Sequence, residues 1–158
     1  MQLAAIQKRI DEIESEIVFR STPQVIKYPY SLREYQQRVF DAYNDGYREF
    51  VICLPRQTGK DLLSFRFILS ACVKTPGVYY YLAPTLKMLK NIIWLSGATV
   101  DGTFYRYVDL IPKSMIKRIN NHEMIVEFRN GSILRFINTN DKVRLRGMTP
   151  TGVIISEY

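Results

Sequence analysis

Two short stretches carry residues of the types and spacing that handle phosphate. The first, LPRQTGKDL from Leu54 to Leu62, sets Gly59-Lys60 between an apolar run and a helix-like stretch. In the pattern G-x-x-x-x-G-K-[S/T], backbone N–H groups at a helix N-terminus cradle phosphates, the lysine reaches the outer phosphates and the hydroxyl meets Mg2+. Here Leu54 stands in place of the first glycine and Asp61 in place of the hydroxyl. The second stretch, GVIISEY from Gly152 to Tyr158, is an apolar run that ends in an acid. Phosphoryl-transfer sites place a metal-organising Asp and a water-positioning residue in this way. Glu157 suits the water, but Ser156 occupies the position of the metal-organising carboxylate.

The two departures are complementary. The usual loop supplies a hydroxyl and the usual strand a carboxylate, whereas here the loop supplies Asp61 and the strand supplies Ser156. If both side chains approach one Mg2+ and its waters from opposite sides, the exchange keeps one carboxylate, one hydroxyl and the local charge. The expectation is that Asp61 and Ser156 lie close enough to share one metal ion; wide separation would mean a site that has lost its metal. Arg56 adds a second cation able to meet phosphate through two N–H groups, with Gln57 beside it. On a basic protein the bland reading of Arg56 is a surface arginine. Gly59-Lys60 would likewise be an incidental loop without a strand before it and a helix after it.

Those flanking elements are legible. FVICLP, Phe50 to Pro55, is a short apolar run that reads as a central parallel strand buried on both faces. After the loop, DLLSFRFILSACVK reads as a helix stopped at Thr75-Pro76-Gly77, GVYYYLAP as a second strand broken at Pro84, and TLKMLKNIIWLSGA as a second helix. Helix pieces around Pro112 are expected in the stretch that follows. Asn130-Gly131, between two alternating runs in MIVEFRNGSILRFIN, is a strong hairpin signal. A polar loop, TNDKVRLRGMTPT, leads to the last strand. Alternating strands and helices predict an α/β sheet with its ligand at the C-terminal ends of the strands. Upstream, Ser31 with Glu34 reads as a capping box for LREYQQRVFDAYNDG, which Gly46 closes.

At the N-terminus, Leu3, Ile6, Ile10, Ile13 and Ile17 alternate spacings of three and four, the stripe of an amphipathic helix or a short coiled coil. The stripe is expected to pack on its own domain, with docking of another protein as the alternative. STPQVIKYPYS, with two prolines, reads as an extended linker.

Composition bounds the rest. A chain of 158 residues with 47% hydrophobic content suits one domain with one core, and 22 Lys+Arg against 15 Asp+Glu give a net charge of +7. That charge favours a polyanionic partner. A signal-peptide pattern is missing and no apolar run is long enough to span a bilayer, so a soluble protein is expected. Cys53 and Cys72 lack a second Cys/His pair at ligand spacing and read as buried structural thiols. His122, the one histidine, sits in the turn-like NNHEM and reads as surface loop, which leaves no basis for histidine or zinc chemistry.

Taken in order, these segments resemble the ATPase domain of the large terminase subunit, the DNA-packaging motor of tailed bacteriophages and related viruses. The resemblance runs over roughly residues 28–158, after an N-terminal helix and linker at 1–27. LREYQ is similar to the family's adenine-recognising segment, which implies that Gln36 reads the adenine edge and that Tyr35 or Tyr30 packs near the base. PRQTGKD looks like the family's deviant phosphate loop. That implies ATP binding through Pro55, Arg56, Gln57, Thr58, Gly59, Lys60 and Asp61, with Arg56 stabilising charge. YYLAPTLKMLKNIIW, with Ala83-Pro84-Thr85 ending a strand, and NGSILRFIN followed by RLRGMTPTGVIISEY resemble later segments of the same domain.

The resemblance also implies that Arg146-Gly147 delivers an arginine finger to a neighbouring subunit and that Glu157 acts on water. Pairing of GKD with SEY in a subset of these proteins would make the exchange a family variant. The fold implied is a RecA-like, ASCE-type P-loop NTPase core with a mostly parallel sheet flanked by helices, joined by the N-terminal amphipathic helix and the hairpin. The activity implied is ATP hydrolysis with Mg2+, coupled to translocation of double-stranded DNA into a procapsid. The partners implied are a portal protein, a small terminase subunit and a homo-oligomeric ring, a pentamer, in the cytoplasm of the infected host and outside the mature virion. The chain is expected to be an N-terminal piece of something longer, without the nuclease domain, and so unable to cut DNA. Two other readings share these residues: a helicase-like nucleic-acid-stimulated ATPase, and a non-catalytic docking module.

Overall fold

A strand buried on both faces needs apolar residues in succession, and VYYYLA provides them: β1, Val78–Ala83, has every residue from Tyr79 onward buried. It is the second-to-last strand of a five-stranded sheet of order β4-β5-β6-β1-β7, in a computed structural model that describes residues 2–21, 25–28, 30–100, 102–140 and 149–156. The other strands are β4 (Ile116–Asn120), β5 (Ile125–Phe128), β6 (Ile133–Asn138) and β7 (Gly152–Ile155). β1 runs parallel to both neighbours, pairing Tyr81 with Phe136 of β6 and with Ile154 of β7, while β4-β5 and β5-β6 are antiparallel. The architecture is mixed α/β. The sheet is thus half antiparallel where a mostly parallel one was expected, because two successive hairpins supply three of its five strands.

Helix α3, Lys60–Lys74, lies against one face of β1 and β6. Phe65, Leu69 and Cys72 meet Tyr79, Tyr81, Leu134 and Phe136 there, and Phe136 takes ring contacts from Phe65, Tyr81 and Trp94 at 5.5 to 6.4 Å. Tyr80, Leu82 and Ile137 form a smaller buried cluster of their own. The C-terminal end of α3 is held by the hairpin loop. Asn130 Nδ2 and Ser132 Oγ both donate to Cys72 O, at 2.8 and 2.6 Å, and Ser132 Oγ accepts from Gly77 N at 3.3 Å. Side chains from the β5-β6 turn thus satisfy a carbonyl in the last turn of the helix, where intrahelical donors run out. Gly131, at φ +93, supplies the left-handed residue the turn requires.

Several expectations hold. The Asn130-Gly131 hairpin, helix α3 and strands β1 and β7 stand where the sequence puts them, two single turns of helix (Tyr107–Leu110 and Lys113–Met115) flank Pro112, Cys72 is buried and His122 is exposed. The rest of the described chain departs in specific places. α2 runs Glu34–Asn44, and the box at its start uses Gln36, whose side-chain oxygen accepts from Arg33 N at 3.1 Å, in place of Ser31 and Glu34. TLKMLKNIIWLSGA gives only α4, Leu86–Leu89, and one wider turn at Lys90–Trp94 before turning into β2, Gly97–Val100, which pairs with β3, Thr103–Arg106.

The largest departure is FVICLP, which forms no strand; Val51 is 94% exposed, and Cys53, expected to be buried, is exposed. An apolar run reads the same whether or not a neighbouring strand exists to pair with it, and only pairing makes it a buried strand. The N-terminal helix α1, Gln2–Ser21, forms as predicted, yet its apolar stripe faces solvent and does not pack on the domain. Among the described residues no helix is long and apolar enough to cross a membrane.

Ser132 is fully buried and its hydroxyl joins α3, the start of β1 and the hairpin. Ser132→Ala is expected to cost about 1–3 kcal/mol, the penalty of stranding buried backbone groups. Urea unfolding at unchanged m-value measures it.

Candidate functional site

The N-terminal end of α3 opens from a tightly turned loop. Gly59, at φ +78, turns the chain into the helix as a residue without a capping side chain, and the first helical bond beyond it is Leu63 N to Gly59 O at 3.0 Å. The amides of the first turn therefore have no acceptor within the helix, and the helix dipole adds positive potential at the same place. The approach to Gly59 is tightly turned: Gln57 also has positive φ, and Thr58 Oγ1 donates to Pro55 O at 2.7 Å. Pro55, Arg56 and Gln57 are exposed on the loop, while Thr58, Gly59, Lys60 and Asp61 are half-buried. A 15-residue helix behind a glycine-turned loop, with Lys60 as its first residue, suits an anion, but the strand expected before the loop is missing, so only the helix half of the motif's setting is present.

The N-terminal end of α2 fastens the loop from behind. Tyr35 donates its hydroxyl to Thr58 O, and the buried Gln36 points its amide nitrogen at Thr58 O and Gly59 O, at 3.4 and 3.5 Å. With its oxygen on Arg33 N, Gln36 is engaged at both ends of its amide and ties helix start to loop. A methyl group on Gly59 would sit 3.3 Å from Gln36 Nε2, so glycine there serves both the turn and this close approach. Tyr30 stands elsewhere, its ring tilted at 56° to that of Tyr28 beside Arg66 of α3. The guanidinium carbon lies 4.1 Å from the Tyr28 ring centroid and 5.4 Å from that of Tyr30, and Arg66 donates to Tyr30 O at 3.3 Å. Arg66 was missed from the sequence; its only signal is a charge amid the apolar SFRFIL.

The last strand brings the second half of the site. Ser156 N donates to Leu82 O at 2.8 Å, extending the β1-β7 ladder by one residue, and the buried Ser156 hydroxyl donates to Asp61 Oδ1 at 3.3 Å. That distance is long for an O–H···O bond, so the pair is a close juxtaposition more than a strong bond. The site stands at the C-terminal ends of β1 and β7. β6 and β7 flank β1 on opposite sides there, both parallel to it.

Asp61 has another neighbour the sequence did not suggest. Burial, and secondarily the Asp61 charge, push the Tyr107 phenol from 10.0 up to about 12, so this core tyrosine lies within electrostatic reach of the carboxylate. Glu157 and Arg146 lie outside the described residues.

Among the described residues no group of three or more His, Cys, Asp and Glu side chains could cage a metal. One carboxylate beside one hydroxyl suits instead an ion that arrives with phosphates, because Mg2+ keeps several waters and typically takes one or two carboxylates plus phosphate oxygens. No family model, no curated protein and no solved structure matches this chain.

Two measurements follow from this geometry. Gln36→Ala removes the links between α2 and the loop, so amide hydrogen exchange at Thr58 to Lys60 is expected to quicken, with about 1–3 kcal/mol lost in global unfolding. Tyr30, Tyr79 and Tyr107 are each raised from 10.0 to about 12, first by burial, so the fold favours their neutral phenols. Their contribution is complete below pH 10 and is lost as pH rises towards 12. Stability should fall over that window, and less steeply in Tyr107→Phe, as denaturant titrations at stepped pH will show.

Proposed function

We propose that this chain binds ATP with Mg2+ at the N-terminal end of α3 and is the ATPase part of a viral DNA-packaging motor of the large terminase type. The observation that carries the reading is the 3.3 Å contact between Ser156 Oγ and Asp61 Oδ1, two residues 95 positions apart that exchange the residue types of the usual site. A hydroxyl and a carboxylate brought together at the mouth of a glycine-turned helix N-terminus are the donor set that a nucleotide-borne Mg2+ requires.

In this reading the first-turn amides of α3 and the Lys60 ammonium hold the outer phosphates, and Arg56 adds a second cation from the exposed loop. Asp61 and Ser156 would hold the ion between them, with the Ser156 hydroxyl orienting the carboxylate. When bound, Mg2+ supplies charge neutralisation on the phosphate oxygens. Glu157 holds the attacking water by accepting one of its protons, and Arg146 reaches a neighbouring subunit's nucleotide. Tyr35 and Gln36 keep the loop in its turned form beside the base. The net charge of +7 supports a double-stranded DNA partner through phosphate contacts. The portal protein, the small terminase subunit and the ring remain expectations of the same resemblance.

Titration with fluorescent ATP tests the reading. Binding should require Mg2+ and weaken about tenfold or more in Lys60→Ala, a loss of the size expected for one charge-assisted phosphate contact. The exchange is tested by a double-mutant cycle. Asp61→Ser and Ser156→Asp should each lose Mg2+-dependent affinity, while the double variant, with the usual arrangement restored, should regain most of it. Binding that ignores both Mg2+ and Lys60 would sink the proposal.

A further inference from the structure

The N-terminal helix presents an apolar surface that its own domain leaves uncovered. Leu3, Ile6, Ile10, Ile13 and Ile17 are 42 to 84% exposed, and none of them packs against the core. Leu3 to Ile17 span about 21 Å along one side of the helix at 1.5 Å per residue. The polar contacts of α1 lie off that stripe: Gln7 Nε2 donates to Asp11 Oδ1 at 2.9 Å, and Arg9 meets Glu12 at 3.5 Å. Helices of this length draw most of their stability from packing an amphipathic face, so an uncovered stripe calls for a partner.

We propose that the stripe pairs with the same helix of other copies of this chain, as a short parallel coiled coil. In heptad terms Leu3, Ile10 and Ile17 occupy position a, and Ile6 and Ile13 occupy position d. Residues at g of one helix face residues at e of the next heptad in a parallel, in-register neighbour. Arg9 at g then meets Glu14 at e, an attraction that repeats at every interface of the assembly by symmetry. The partner most complementary to this helix is therefore its own copy. Isoleucine at both a and d shifts the preference away from two strands and towards three or four. The inference does not rest on the reading of the nucleotide site.

The test uses the whole chain. Sedimentation equilibrium up to about 200 μM should show association of three or more chains, in the weak affinity range expected of barely more than two heptads. Ile10→Glu with Ile13→Glu should leave a single-chain mass and lower helical circular dichroism by no more than the share of α1, while thermal unfolding of the domain stays unchanged, since neither side chain packs against the core. Arg9→Glu should weaken association about tenfold through repeated like-charge contacts, and Arg9→Glu with Glu14→Arg should restore it. With the exposed Cys53 changed to Ser, Ile10→Cys should oxidise to a cross-linked dimer, because equivalent a positions adjoin only in a parallel register. A single-chain mass at every concentration, association indifferent to the Ile10 and Ile13 changes, or failure of the charge swap to restore it would overturn the proposal.

Discussion

Everything at the site depends on how α3 is held against β1. The helix is anchored along its body by Phe65, Leu69 and Cys72 on the sheet, and at its C-terminal end by Asn130 and Ser132 on the Cys72 carbonyl. Its N-terminal end therefore cannot shift without disturbing the core. Because β1 is buried on both faces and paired on both edges, the sheet end that faces the loop is equally constrained. The 3.3 Å approach of Asp61 to Ser156 rests on packing far larger than the two side chains themselves.

The loop is fixed from a second direction by α2 and the linker. Tyr35 and Gln36 hold the Thr58 and Gly59 carbonyls, and Arg66 gathers Tyr28 and Tyr30 against α3. A guanidinium over aromatic faces keeps its charge while shedding water, which suits a half-buried arginine better than a lysine. The linker is consequently part of the scaffold of the site. The same burial that builds this cluster raises the Tyr30 phenol to about 12, and carries the Tyr28 phenol above it.

Among the described residues, exposed apolar side chains include the stripe of α1, Val51 and Ile52 before the loop, and Val153 and Ile155 on β7. β7 is an edge strand, and the run before the loop has no strand partner. Open edges and uncovered β-branched residues invite pairing with other chains. The site thus sits beside the least enclosed side of the sheet, and the well-packed side lies towards β6 and α3.

The sequence by itself determined whatever rests on local rules. Period and breakers placed α1, α3, β1 and β7, Asn130-Gly131 placed the hairpin, and the types at Lys60, Asp61 and Ser156 proposed the chemistry. Those signals suffice because helix periodicity, turn geometry and glycine's left-handed freedom act over a few residues. Tertiary structure alone decided the rest. Whether FVICLP is a strand depends on a neighbour to pair with, and Cys53 is exposed for want of one. β2, by pairing with β3, takes Gly97 and Ala98 from the end of a helical pattern. Arg66 and Tyr107 matter through partners distant in the chain, and the separation of 95 positions between Asp61 and Ser156 is closed by β7 adding to the edge of β1. Contacts of that range depend on which surfaces the folded chain leaves available, and no local pattern in the sequence encodes that choice.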